Sequence, residues 1–183
     1  MGLEKGCASA ALAEVKDWLA ITSSASDAVL AGLLRASLDL FEAFTGQMAL
    51  EATCEEVLPA GLAGWQVLTS RPVLAMTGME GIPAEGARFA MAADAFEVDL
   101  GADGSGRVRV LRQGTAGRVA VRLSAGLSPD WDSLPQALRH GVIRLAAYQY
   151  RARDADAPAS ASLAAPPAAV AALWRPWRRF RLV

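Results

Sequence analysis

The sequence predicts an α+β protein, a helical bundle of about three helices with an inserted antiparallel β region and an extended C-terminal tail. Three observations carry that expectation. Apolar residues recur at helical spacing over 10–21, 27–45 and 135–153, they alternate at period two in a region of about 48–125, and the chain past residue 153 becomes rich in alanine and proline. At 183 residues and 19.2 kDa the chain suits one main domain over 1–153, an Ala/Pro-rich linker over 154–169 and a tail over 170–183.

Leu12, Val15 and Leu19, with Trp18 alongside, give the first helix, which the polar run Thr22, Ser23, Ser24 should stop near Ile21. Ser24 with Asp27 reads as a capping box for a second helix, whose stripe is Leu30, Leu33, Leu34, Leu38, Phe41 and Phe44. Gly32 inside that helix costs about 1 kcal/mol relative to alanine, so a close contact is expected there. Gly46 is placed to terminate it just past Thr45.

Strands are expected near Met48 to Val57, Trp65 to Thr69 and Val73 to Met79. Phe96, Val98 and Leu100, then Val108 and Val110, then Val119, Val121 and Leu123 alternate with polar residues; with turns at Asp103-Gly104 and Gly114 to Gly117 they read as a three-stranded antiparallel meander over 95–125 with one arginine-bearing face. Pro135 opens the third helix, with Leu138, Val142, Leu145 and Tyr148 as its buried stripe. Pro158, Pro166 and Pro167 mark a mobile linker, followed by Trp174, Trp177 and Phe180 among Arg175, Arg178, Arg179 and Arg181. That tail is expected to anchor on another protein; the alternative is that Trp174 and Trp177 cover this chain's own core while the arginines snorkel.

Composition excludes several classes. The 53% hydrophobic content includes 39 alanines, and no apolar run reaches the ~20 residues of a membrane helix. Charges at Glu4, Lys5, Glu14, Lys16 and Asp17 argue against a signal peptide. Cys7 and Cys54 read as plain thiols of a reducing compartment, and with His140 as the single histidine no zinc site, other metal site or cofactor is expected.

Catalytic motifs are also wanting. There is no phosphate loop, and Gly101, Gly104 and Gly106 open onto a strand instead of a helix. Asp99 and Asp103 resemble a calcium loop, but Gly101 and Val110 stand where ligands are needed, so a hairpin turn is expected. His140 has no serine or cysteine nearby in sequence to activate, and Glu55 and Glu56 should point to opposite strand faces. No enzyme and no catalytic residue is expected.

Charge is unevenly distributed. Residues 1–60 hold nine carboxylates against three cations, whereas Arg107, Arg109, Arg112, Arg118 and Arg122 lie in a stretch without acids, as do the four arginines of the tail. Such separation suits head-to-tail packing of copies or contact with an anion. The arginine stretch is therefore a candidate subunit contact or DNA-channel surface, and the competing reading of the whole chain is a nucleic-acid-binding protein that uses this face.

Several strings, in this order, resemble the head-tail connector family of tailed phages, also called adaptor or head-completion proteins, found in prophages and gene transfer agents. They are LAEVKDWLAI from Leu12, EAFTGQ from Glu42, FEVDLG from Phe96, VRLSAGL from Val121, LPQALRHGVIRLAAYQYRAR from Leu134 and LWRPWRRFR from Leu173. The resemblance covers most of the chain, with a longer Ala/Pro linker as a departure. It implies a structural protein in the neck of a phage or phage-like particle, assembled in the bacterial cytoplasm, with no membrane partner. It implies a homo-oligomeric ring, commonly a dodecamer, between the portal and a tail-side neck or stopper protein, with double-stranded DNA passing through without sequence specificity. It further implies portal docking by Trp174, Arg175, Trp177, Arg178, Arg179, Phe180 and Arg181.

Overall fold

The computed structural model describes residues 5–61, 63–153 and 165–178. Its order is α1 (Lys5–Leu19), α2 (Asp27–Thr45), seven strands β1 (Ala52–Pro59), β2 (Gln66–Val67), β3 (Val73–Pro83), β4 (Phe89–Ala90), β5 (Phe96–Leu100), β6 (Gly106–Val110) and β7 (Ala116–Ala125), then α3 (Gln136–Ala152) and α4 (Ala168–Trp174). The fold is α+β, as expected. Two compact units divide it. The β insertion, Glu51–Leu127, is one, and the helices before and after it form the other. None of the described helices is long and apolar enough to cross a membrane.

In the helical unit α3 packs against α1, α2 and α4. Leu30, Leu34 and Phe41 of α2 and Leu138, Val142 and Leu145 of α3 are buried, the stripes that 3.6-residue spacing selects. Tyr148 departs from its stripe and is 52% exposed. The first helix starts earlier than expected and ends at Leu19, because Ala20 turns left-handed (φ 57°) and Ile21 N–H closes back on Lys16 O at 2.9 Å. Ser26, not Ser24, sits at the N-cap of α2, and its hydroxyl pairs with the Tyr150 hydroxyl at 2.9 Å instead of capping. Asp27 binds Lys16 at 2.7 Å, so the expected capping box does not form. Gly46 terminates α2 in the left-handed conformation (φ 71°), its N–H on Glu42 O, as expected. Among the described residues no neighbouring atom lies within 4 Å of where a Cβ on Gly32 would stand, so none of them makes the close contact expected there.

The β unit holds two sheets, ordered β1-β7-β3-β4 and β2-β6-β5. The three-stranded meander over 95–125 does not form: β5 pairs with β6, but β7 leaves to sit between β1 and β3, and β2 takes the other side of β6. Period two identifies strands and their faces but not their neighbours. Val119, Ala120, Val121 and Leu123 are all fully buried, which suits a central strand of the larger sheet. The sheets meet where Gly106 faces Leu68 and Val73, leaving no room for a side chain.

Candidate assembly surfaces

The tail was the leading candidate. Pro167 starts α4, its carbonyl accepting the N–H groups of Val170 and Ala171, and seven residues of helix carry Trp174 inward. Trp174 is completely buried. Its ring lies edge-on to Phe41, with centroids 5.3 Å apart, and beside Phe44 at 6.3 Å, and Nε1 donates to Leu138 O at 3.4 Å. Gly141 supplies the space, since a Cβ there would collide with the indole. Trp174 is therefore core in this chain and not available to a partner, which corrects its place among the docking residues. The physical reason is that a large indole is stabilised most in the nearest closed apolar site.

Two of the residues that follow Trp174 also contact the helical unit. Trp177 is half-buried and its carbonyl accepts a short hydrogen bond from the Gln47 side chain, while the Arg178 guanidinium lies 5.2 Å from the Phe44 ring centre. Arg175 is exposed. The docking residues Arg179, Phe180 and Arg181 lie outside the described residues, as does most of the expected linker.

The arginines of the β unit do not share one face. Arg107 and Arg109 stand on β6, Arg118 and Arg122 on β7 in the other sheet, and Arg112 in the loop between. Four of them are paired within the chain. Arg107 binds Asp99 at 2.6 Å, Arg109 binds Glu97 at 2.5 Å, Arg112 binds Asp94, and Arg122 reaches Glu80 at 3.1 Å beside the Arg88–Glu55 pair. Arg107 and Arg109 also flank the Trp65 ring, each 5.1 Å from its centre. Guanidinium hydrogen bonds hold the Glu55 carboxyl, through Arg88, and the Asp94 carboxyl, through Arg112, below their ordinary values. A stretch without acids in sequence is thus matched by acids on adjacent strands, and the field a nucleic-acid backbone would meet is largely cancelled.

Other sequence candidates settle plainly. Glu55 and Glu56 diverge, as expected: Glu56 turns inward to accept the N–H groups of Thr69 (2.9 Å) and Ser70 (2.7 Å). Burial raises its carboxyl and these hydrogen bonds outweigh that, leaving it below the ordinary value. Asp103 accepts from the Ser105 N–H and hydroxyl in a turn where Gly104 is left-handed (φ 76°), the hairpin expected in place of a calcium loop. Among the described residues no group of three or more His, Cys, Asp or Glu is placed to hold a metal. His140 stacks edge-on against Trp18, centroids 5.1 Å apart. The buried Trp174 follows the alternative reading of the tail, whereas a second core tryptophan was legible only in three dimensions: Trp131, which is 1% exposed with Nε1 donating to Glu14 at 2.9 Å.

No family model matches the sequence and no curated protein matches it. Solved structures do. A chain from the neck of a native gene transfer agent particle, computed with C12 symmetry, is 27% identical with a TM-score of 0.73, over 100% of this chain and 96% of that one. A chain from the neck of an empty particle, computed with C6 symmetry, gives 27% and 0.72 over 94% and 90%, and a chain from the virion of the native particle gives 27% and 0.71 over the same shares. In fold and along nearly its whole length, this chain is therefore similar to neck proteins of gene transfer agent particles, in keeping with the phage head-tail connector family that its sequence resembles.

Proposed function

We infer that this chain is a structural component of the neck of a phage-like particle, where it forms a ring between the portal and a tail-side neck protein with double-stranded DNA passing through the centre. The observation that carries the reading is the likeness to gene transfer agent neck chains over the whole sequence, at 27% identity. Those neighbours were resolved with C6 and C12 symmetry, which supports an oligomeric ring. They are virion components, which supports a structural role over catalysis. Portal docking falls to Arg175, Trp177 and Arg178 together with Arg179, Phe180 and Arg181, with the buried Trp174 anchoring the segment on α2 and α3. The nucleic-acid-binding alternative is disfavoured by the in-chain pairing of Arg107, Arg109, Arg112 and Arg122.

The test is to image particles from cells that carry or lack this chain. The expected result is a ring of density at the neck that disappears with the chain. Particles that assemble a complete neck without it would overturn the reading.

A further inference from the structure

Two surfaces of the helical unit lack ion-pair partners among the described residues, and they complement one another. The first is a row along α3, continued by α1. His140, Arg144 and Tyr148 are spaced by four residues and so share one helix face, and Trp18 of α1 stands against His140 at 5.1 Å. Trp18 is 47% exposed and Tyr148 52%, and Arg144 is exposed without an ion pair among the described residues. Tryptophan, tyrosine and arginine together are the residue types that dominate interface energetics, and leaving two such rings in water is unfavourable for a monomer.

The second surface is the outward face of α2. Asp39 and Glu42, three residues apart and exposed, have no cation partner among the described residues. Burial first, and then the repulsion of Asp39, raise the Glu42 carboxyl above its ordinary value. Gly32 lies on the same face, two turns towards the N-terminus, and none of the described residues occupies the space beside it. The two surfaces share no residue, so each copy can offer one and accept with the other. That is the condition for a heterologous contact that closes into a ring.

We propose that the Trp18–His140–Arg144–Tyr148 face of one copy packs on the Asp39–Glu42 face of α2 in the next copy, with Arg144 set against the two carboxylates. The proposal rests on the ring reading above and names its contact. It also assigns the subunit contact to residues of the helical unit instead of to Arg107, Arg109, Arg112 and Arg122, whose charges are met within the chain.

The test uses the full chain in cells that lack their own copy, reading neck occupancy in purified particles by quantitative mass spectrometry. Arg144→Glu should melt like the wild type and lower occupancy at least about tenfold, the effect of ~1.4 kcal/mol per contact. Adding Asp39→Arg and Glu42→Arg to that variant should restore occupancy, since the charges are then reversed on both sides. Tyr148→Ala, which leaves all charges unchanged, should also lower it. Normal occupancy of Arg144→Glu would overturn the proposed contact while leaving the neck reading intact, as would failure of the triple variant to recover while its melting is unchanged. Absence of the wild-type chain from particle necks would overturn the neck reading itself, and this contact with it.

Discussion

The indole of Trp174 lies against Gly141, and its Nε1 reaches the Leu138 carbonyl 3.4 Å away on the same helix. A residue expected to anchor a foreign protein thus closes the chain's own helical unit. Gly141→Ala gains about 1 kcal/mol of helix propensity but forces the indole against Phe41, and overpacking of this kind costs about 1–3 kcal/mol, so a net loss of roughly 1–2 kcal/mol is expected. Trp174→Ala leaves a cavity and should cost about 3–5 kcal/mol. Urea titrations followed by circular dichroism measure both. By the same argument, deletion from Trp174 onward should lower the stability of the helical unit as Trp174→Ala does, whereas deletion of 179–183 removes none of the described contacts and should act on particle incorporation instead.

Ala20 carries the left-handed turn that ends α1, at φ 57°. A side chain in that conformation costs roughly 1–2 kcal/mol, part of which glycine gives back through its greater freedom in the unfolded chain. Ala20→Gly should therefore stabilise the protein by about 0.5–1 kcal/mol, seen as a higher melting temperature. Gly46→Ala, at the equivalent position of α2, should have the opposite sign and similar size.

Glu56 holds the turn at Thr69 and Ser70 as a carboxylate. Although burial raises its carboxyl, the backbone hydrogen bonds depress it overall in the folded state, below the ordinary 4.5. Its contribution is therefore fully present above pH 4.5 and is lost as pH falls through the lower folded value. Glu56→Gln should cost on the order of 1 kcal/mol at neutral pH, because the group is half exposed, and the difference from wild type should shrink in acid. Melting curves from neutral pH to pH 3 test this; a gap that widened in acid would contradict it.

Arg107 and Arg109 stand directly opposite Asp99 and Glu97 in the β5–β6 ladder. Reversing both to glutamate creates two directly opposed like-charge pairs, each unfavourable by about 0.2–1 kcal/mol, and also removes the contacts on Trp65, so the β unit should lose roughly 1–2 kcal/mol. Because these charges are met in the wild type, the purified chain should bind duplex DNA weakly. Fluorescence anisotropy across a salt series checks this, and tight binding with a steep salt slope would reinstate the nucleic-acid reading.

Much of the architecture was legible from periodicity. The buried faces of α2 and α3 follow from Leu30, Leu34 and Phe41 and from Leu138, Val142 and Leu145, and Gly46 ends α2 because the left-handed conformation there favours glycine. Such features depend on neighbours a few residues away, where spacing is sufficient. The end of α1 was less legible, because alanine gives no sign that it will turn left-handed. The docking surface was legible only as a type, arginines among aromatics, since composition does not say whether an indole faces outward.

By itself the sequence determined the three principal helices, the insertion of strands between them and the residues that alternate across most of those strands; the short β4 was not in it. Those are local properties of hydrophobic period and turn chemistry. Only the tertiary structure decided that β7 joins β1 and β3 instead of β6, that Trp174 fills the space Gly141 leaves, and that Arg107, Arg109 and Arg122 meet carboxylates on other strands. Each of these depends on which distant segments come together. A strand's faces are set by its own residues, but its neighbours, and the partner of every charge on it, are set by how the remaining apolar surface is most completely buried.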